Sequence, residues 1–251
     1  LNSLEQVDFK TYYLSSSFRF GNDIAAFAME SLALKHYLGK YVPVPIEGNG
    51  KSNQLKSQAT LARTNLGLLL KAISYIRSIQ PGMKIYFEGN INSYTYADEG
   101  ASLYDVLNLY NYKHDMIRDP LVKSMKNMIE LEEYIKKTED SQLGMMVEIV
   151  KEYGNDIYEL IKDIKLKQVE NDEKEKADMV FSTVHRCKGM EYDIVYLADD
   201  FLTEEQLKRL LNEKELSSLQ KSKLIEEINL LYVAVTRAKN NLHLPASLMS
   251  E

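Results

Sequence analysis

The sequence lacks several features, and each absence excludes a class of protein. A single cysteine, Cys187, excludes an internal disulfide framework and fits a reducing, intracellular compartment. No apolar run reaches the roughly 18 to 20 residues that a membrane span requires, and no signal-peptide pattern opens the chain. The four histidines show no metal-ligand spacing. We therefore expect no membrane segment and no metal site. We expect a cytoplasmic location if the source is bacterial and a nuclear one if it is eukaryotic.

Length and composition, by contrast, are those of an ordinary globular protein. The chain has 251 residues, of which 45% are hydrophobic and 27% are charged. This length suits one large α/β domain or a domain that carries a sizeable insert. The first residue is Leu1 and the sequence begins in the middle of an element, so we expect a piece of a longer protein.

Negative charge is unevenly distributed along the chain. The formal net charge of −6 argues, at face value, against a nucleic-acid partner. However, residues 96–176 hold 19 acidic and 12 basic side chains, a net charge of −7. The rest of the chain holds 18 acidic and 19 basic side chains, a net charge of +1, and could carry a local basic groove. Net charge therefore leaves a nucleic-acid partner open.

Strand-like and helix-like segments alternate over most of the chain, which predicts an α/β fold with a parallel sheet flanked by helices. Between residues 99 and 176 the strand signal disappears and apolar residues recur at helical spacing, which predicts an all-helical, acidic insert. We therefore expect three segments: residues 1–98, the insert 99–176, and residues 177–251. Strand patterns occupy residues 11–18, 57–63, 83–89, 179–183, 194–198 and 241–245, and helix patterns outside the insert occupy residues 21–38, 66–79 and 222–239.

Polar side chains cluster where the predicted strands and helices end. They lie in SSFRF (16–20), LARTN (61–65), STVHRCKGMEYD (182–193) and LLYVAVTRAK (230–239). In open α/β sheets, ligands bind at the edge where strands end. We therefore predict that these segments meet at one edge of the sheet. At an edge, the polar groups between two buried strands avoid the cost of burial.

In this order and at this separation, the four segments resemble motifs IV, IVa, V and VI of the UvrD/Rep type of superfamily 1 DNA helicases. The short insert resembles that of the F-box DNA helicase branch, and the resemblance covers nearly the whole chain. It implies a RecA-like helicase domain 2A of P-loop NTPase-like fold, formed by residues 1–98 and 177–251. Residues 99–176 would be a reduced 2B subdomain. It also implies ATP-dependent 3′-to-5′ translocation on single-stranded DNA.

For the nucleotide, the resemblance implies roles for four residues. Arg237 resembles the motif VI arginine finger, whose permanent charge suits the charge that develops on a γ-phosphate. Arg19 resembles a second γ-phosphate contact, and Glu191 resembles a carboxylate that orders the nucleotide or accepts from a ribose hydroxyl. Gly189 fits a tight turn with positive φ close to the nucleotide. Simpler interpretations stay open: Arg237 or Lys239 as a cation at a helix C-terminus, Arg19 paired with a surface carboxylate, and Glu191 as a solvent-facing turn residue.

For DNA, the resemblance implies a second set of residues. Thr183 and His185 resemble motif V groups that hold the phosphate backbone of single-stranded DNA, and Lys188 adds positive charge. Arg63 and Asn65 resemble the motif IVa corner that faces DNA. A strand-end hydrogen-bond network for Thr183 and His185, and a helix N-cap for Asn65, stay open as alternatives.

Two features imitate other sites. Gly50-Lys51-Ser52 copies the end of a phosphate-binding P-loop, but Pro45 stands where the first glycine belongs, so we assign no phosphate to it. Asp199-Asp200 suggests a metal pair. We expect strand-end caps or hinge contacts instead, because the magnesium carboxylates of the family lie in its other RecA-like domain.

The resemblance implies that ATP and Mg²⁺ are bound mainly by an N-terminal RecA-like domain of the same protein, which this sequence lacks. We expect the partners to be that domain, single-stranded DNA, and a possible protein at the helical insert. We expect the isolated chain to hydrolyse negligible ATP. Two other functions stay open: a non-enzymatic module that binds nucleic acid or protein, and an inactive helicase-like factor that remodels a protein complex.

Overall fold

A computed structural model describes residues 15–39, 41–50, 55–78, 80, 82–97, 100–213 and 215–249. Over these residues the chain folds around a five-stranded parallel sheet, with a separate parallel pair of short strands. The predicted α/β class with a parallel sheet flanked by helices is confirmed. The strands are β1 (Ser16–Ser17), β2 (Glu47–Gly48), β3 (Gln58–Ala62), β4 (Ile85–Phe87), β5 (Met179–Thr183), β6 (Tyr192–Leu197) and β7 (Ala238–His243).

Strand β1 pairs with β2, and the main sheet has the order β4-β5-β3-β6-β7. Nine α-helices surround these strands in the part of the chain that the structure describes. They are α1 (Asn22–Ala33), α2 (Asn65–Ser78), α3 (Leu103–Tyr110), α4 (Pro120–Ser124), α5 (Met128–Thr138), α6 (Ser141–Tyr153), α7 (Ile157–Lys167), α8 (Glu204–Glu213) and α9 (Ser218–Val235). None of the described helices is long and apolar enough to cross a membrane.

Different helices cover the two faces of the main sheet. On one face, Phe87 and Phe181 pack with α2 and with helices of the insert. On the other face, Leu61 and Val195 pack with α1 and α9. A strand covered on both sides must be apolar in both directions, which explains why every residue of β5 is buried.

Five helices, α3 to α7, lie where the sequence predicts an all-helical insert. Side chains cap several of their N-termini: Ser102 forms a capping box with Asp105 at α3, while Asn127 and Asp140 cap α5 and α6. The apolar faces of these helices join the same hydrophobic core as the sheet face under α2. The insert therefore packs directly on the sheet domain.

The first predicted strand differs from the structure in its described part. Residues 11–14 lie outside the described residues, and the remainder forms only β1, which pairs with β2 rather than with the main sheet. The region of β2 is predicted as a loop. Of the P-loop imitation, Lys51 and Ser52 also lie outside the described residues, and the amide of Gly50 donates to the carbonyl of Phe20 at 2.9 Å.

The end of the last long helix also differs from the prediction. Helix α9 ends at Val235, and β7 begins at Ala238, so residues 236–239 are not helical. The hydroxyl of Thr236 donates to the carbonyl of Val233, and the amide of Tyr192 donates to the carbonyl of Arg237 at 2.9 Å. The main chain therefore begins to pair with β6 before the helical pattern in the sequence ends, and this pairing terminates α9.

Consequently Lys239 is a strand residue and not a cation at a helix C-terminus. Its Nζ lies 2.6 Å from Oδ1 of Asp193, a buried residue of β6. Burial alone would raise the pKa of Asp193, but hydrogen bonds from Lys239 and from the amides of Ser57 and Lys56 lower it to about 2. This pair fixes β7 to the main sheet.

Candidate functional site

The predicted site residues gather at two opposite ends of the sheet, so the prediction of one shared edge is wrong. Arg63 directly follows β3 and Thr183 ends β5, which places both at the carboxyl ends of the strands. Glu191 directly precedes β6 and Arg237 directly precedes β7, which places both at the amino ends. All these strands are parallel, with one register shift between β6 and β7, so the two pairs lie at opposite ends of the sheet.

The segment 184–191 explains this separation, because it connects the carboxyl end of β5 to the amino end of the parallel strand β6. Its side chains alternate in environment along the crossing: Val184 and Cys187 are buried in the core, while His185 and Lys188 are exposed. The many polar groups between two buried strands are therefore spread over two surfaces rather than collected at one.

At the amino ends of the strands, Arg19 lies beside two other predicted nucleotide residues, Glu191 and Arg237. Its Nε lies 2.6 Å from Oε1 of Glu191, and its Nη1 donates to the carbonyl of Thr236 at 3.2 Å. Arg19 does pair with an exposed carboxylate, as the simpler interpretation holds, but that carboxylate is another of the predicted nucleotide residues. We call Arg19, Glu191, Thr236 and Arg237 the amino-end cluster.

Arg237 is held in the same cluster by three hydrogen bonds. Its Nη2 donates to Oγ1 of Thr236 at 3.3 Å, and its Nη1 donates to the carbonyl of Met190 at 3.2 Å. Its Nε donates to the carbonyl of Val233 at 3.0 Å, so Arg237 also caps the last turn of α9. Burial, and then the positive charge of Arg19, lower the pKa of Arg237. A guanidinium nevertheless stays charged in proteins, so the cluster brings two fixed cations close together.

The turn before Glu191 has the geometry that the sequence predicts. Gly189 has a φ of +86°, which is in the left-handed region that favours glycine. A side chain there would be strained even though open space surrounds the position.

Sequence reasoning missed the aromatic residue beside Arg19. Phe18 is 81% exposed, and it lines a recess of about 560 Å³ together with Arg19, Arg237, Ile46 and Tyr232. A large apolar ring that is exposed next to two cations offers a flat surface for an aromatic or apolar group of a ligand. Its adjacency to Arg19 in SSFRF is the sequence signal that could have identified it.

At the carboxyl ends, a second recess of about 300 Å³ brings together Arg63, Asn65, Thr183 and His185 and adds Arg186. We call it the carboxyl-end recess. Lys188 is exposed on the crossing segment and does not line it. Four of the five residues predicted for DNA therefore meet at one place.

Arg186, which the prediction passed over, is firmly positioned. Its guanidinium carbon lies 4.7 Å from the ring centroid of Tyr94, and its Nη1 and Nη2 donate to the carbonyl of Glu88 and to Oγ of Ser93. A Cβ at Gly89 would lie 2.7 Å from Nη1 of Arg186, so only glycine leaves room for this arrangement. Arg186 adds a fixed positive charge to the carboxyl-end recess.

The corner between β3 and α2 is held by Asp200, which follows β6. Its Oδ1 accepts from the amide of Arg63 at 2.9 Å, and its Oδ2 accepts from the amide and the hydroxyl of Thr64, both at 2.7 Å. Burial raises the pKa of Asp200, while these hydrogen bonds act in the opposite direction. Asp200 therefore makes strand-end contacts of the kind that the sequence predicts.

The N-cap of α2 is Thr64, whose Oγ1 accepts from the amide of Gly67 at 2.9 Å. The N-cap interpretation of Asn65 is therefore wrong: Asn65 is the first helical residue, and it lines the carboxyl-end recess.

This parallel α/β fold, with its four motif segments in sequence order at the two ends of the strands, indicates the class of protein. The family model described as the UvrD-like helicase C-terminal domain matches residues 24–248, so the chain belongs to that family. The resemblance found in the sequence is thereby confirmed.

The chain is also similar to two F-box DNA helicases. The chain is 29% identical over 248 residues to F-box DNA helicase 1 of Gallus gallus, and 27% identical over 257 residues to F-box DNA helicase protein 1 of Schizosaccharomyces pombe. These alignments cover 94% and 93% of this chain but 24% and 27% of the two relatives. The chain therefore spans about a quarter of the length of the curated relatives that it matches.

Proposed function

We propose that this UvrD-like helicase C-terminal domain works within an ATP-dependent DNA helicase that moves 3′ to 5′ on single-stranded DNA. In this proposal the amino-end cluster supplies the arginine finger, and the carboxyl-end recess supplies part of the DNA track. The observation that carries it is the convergence of Arg19 and Arg237. They are separated by more than two hundred residues, yet both guanidinium groups donate to Thr236 beside one open recess.

The recess of about 560 Å³ beside the amino-end cluster fits the chemistry of a nucleoside triphosphate. When bound, ATP supplies a γ-phosphoryl group whose oxygens gain negative charge during transfer. Arg237 and Arg19 would face that charge with permanently charged, planar donors, and Glu191 orients the Arg19 guanidinium through the 2.6 Å contact. The exposed ring of Phe18 would give the base or the facing lobe an apolar surface.

The proposal assigns the other half of the nucleotide site to an N-terminal RecA-like lobe of the same protein. Among the described residues, no group of three or more His, Cys, Asp or Glu side chains is placed to hold a metal ion. Following the resemblance to the family, we assign Mg²⁺ to that other lobe. It follows that the isolated chain hydrolyses negligible ATP.

The carboxyl-end recess fits the backbone of single-stranded DNA. Thr183 and Asn65 offer neutral polar groups, and Arg63 and Arg186 offer fixed positive charge. Such groups hold phosphates without reading base sequence. Binding through them weakens as salt rises, because counterions released from DNA drive it.

A protein partner at the helical insert is a second proposal, favoured by exposed apolar side chains on this acidic segment. Tyr112 is 77% exposed and has a left-handed φ of +57°, and Met116 and Tyr158 are also exposed. Deleting the insert would distinguish partner binding from DNA-dependent ATP hydrolysis only if the protein without the insert still folds. Substitution of these three side chains by serine is therefore the better test.

The central test is ATP hydrolysis by the full-length protein with and without single-stranded DNA. We expect Arg237→Ala to lower kcat roughly a thousandfold, as for arginine fingers in other phosphoryl-transfer enzymes. We expect Arg19→Ala to lower it roughly ten- to a hundredfold. Arg209→Ala is the matched control, because it removes an exposed arginine of α8 that lies outside both recesses. Equal kcat values for wild type and Arg237→Ala would refute the proposed finger.

A further inference from the structure

An ion pair joins the corner after β3 to the middle of α9. The Nε of Arg63 lies 2.6 Å from Oε2 of Glu227, and its Nη2 lies 2.7 Å from Oε1. Both side chains are mostly buried, with 22% and 28% of their surfaces exposed. Two parallel contacts between a planar guanidinium and a carboxylate fix orientation as well as distance. Glu227 therefore sets the direction in which the Arg63 guanidinium points.

The ion pair lies at the carboxyl ends of the strands, and α9 connects it to the amino ends. Arg63 lines the carboxyl-end recess. Glu227 lies on α9, and the chain runs from the end of this helix directly into Thr236 and Arg237 of the amino-end cluster. A continuous helix transmits displacement along its length, so a change at Glu227 reaches the cluster without passing through a flexible loop.

We infer that Glu227 is a positioning residue that couples occupancy of the carboxyl-end recess to the amino-end cluster through Arg63 and α9. The inference rests on the proposed function, because it presumes that a DNA phosphate approaches Arg63. Such a phosphate is a second anion beside the Glu227 carboxylate, and both anions compete for one guanidinium. DNA binding therefore weakens the hold of Arg63 on α9, and the helix can take a second position relative to β3.

Removing the charge of Glu227 should change DNA affinity and the DNA stimulation of ATP hydrolysis in different ways. The recess loses a competing anion, so single-stranded DNA binds as tightly as before or up to about fivefold more tightly. The helix loses its contact with the recess, so the stimulation of ATP hydrolysis by DNA falls by about tenfold. A contact that only stabilises the fold would lower DNA affinity and the unstimulated rate together.

Glu227→Gln in the full-length protein tests this, with Glu226→Gln as the matched control. Glu226 is the neighbouring exposed carboxylate of the same helix, so the control removes the same charge. The measurements are the Kd for a fluorescent oligothymidine, the ATPase rate with and without that oligonucleotide, and the thermal unfolding midpoint. We expect Glu227→Gln to keep the unstimulated rate and the affinity while losing stimulation, and Glu226→Gln to match the wild type in all three.

Arg63→Gln provides a second, independent variant. It should weaken oligothymidine binding, whereas Glu227→Gln should not, although both should lose stimulation. If both variants shift the Kd in the same direction, or if Glu227→Gln is stimulated as strongly as the wild type, the inference is wrong while the proposed function stands. If DNA does not stimulate ATP hydrolysis by the wild-type protein, then both the proposed function and this inference are wrong.

Discussion

Replacing Gly67 by alanine should destabilise this domain, although a glycine-to-alanine change inside a helix normally stabilises the folded protein. Gly67 is the third residue of α2, and the Asp200 carboxylate that holds Thr64 lies directly beside it. A Cβ at this position would lie 2.1 Å from Oδ2 and 2.5 Å from Cγ of Asp200. The carboxylate would have to move away from the amides of Arg63 and Thr64.

The magnitude follows from two opposing terms. Glycine to alanine inside a helix lowers the free energy of folding by about 0.5 to 1 kcal/mol, because the unfolded chain loses conformational freedom. Against this, displacement of Asp200 frees the N-cap residue Thr64 and leaves the part-buried amides of Arg63 and Thr64 without their acceptor, at about 1 to 3 kcal/mol. We expect a net loss of about 1 kcal/mol in the free energy of unfolding, or a thermal midpoint lower by about 2 to 4 °C.

Gly144→Ala is the matched control, because Gly144 is also helical but its added Cβ would meet only Cγ2 of Ile135, at an ordinary 3.7 Å. We expect this control to raise the unfolding free energy by up to about 1 kcal/mol. Urea denaturation followed by circular dichroism measures both variants. If Gly67→Ala proved as stable as the wild type or more so, the role assigned to Asp200 would be incorrect.

Three further predictions concern single side chains. Because the pKa of Asp193 is lowered to about 2 in the folded state, its pair with Lys239 stabilises the fold above the ordinary carboxyl pKa near 4. That contribution, about 2 kcal/mol, should be lost as the pH falls towards 2. Asp193→Asn should flatten this part of a plot of urea midpoint against pH, and an unchanged plot would contradict the assignment. Burial raises the pKa of the Cys187 thiol to about 11, so this single cysteine should react with Ellman's reagent at pH 8 only as the protein unfolds. Rapid labelling of the native protein would show that the thiol is accessible. In the full-length protein, Phe18→Ala should raise the KM for ATP about tenfold and leave the fold intact, since the ring is exposed. A KM equal to that of the wild type would exclude the ring from the nucleotide site.

Much of the fold could be predicted from local pattern. MVFST is strand β5 over the predicted residues 179–183, because five consecutive buried side chains leave few alternatives to a central parallel strand. The insert reads as helical because its apolar residues recur every three or four positions, and helices α3 to α7 lie within it. The polar segments could be located from sequence because polar groups between buried strands must reach a surface, and their roles were assigned by resemblance to the helicase motifs.

What the sequence by itself determined, then, is the class of fold, its helical insert, and the set of polar residues that we propose to carry the chemistry. Tertiary structure alone decided which of them meet: Arg19 with Arg237 at the amino ends, and Arg63 with Thr183 at the carboxyl ends. It also ended α9 at Val235 and gave Arg63 its partner Glu227. The physical reason is that strand direction, register and ion pairs between distant segments depend on how the chain crosses the sheet, and periodicity along the chain carries no record of that crossing.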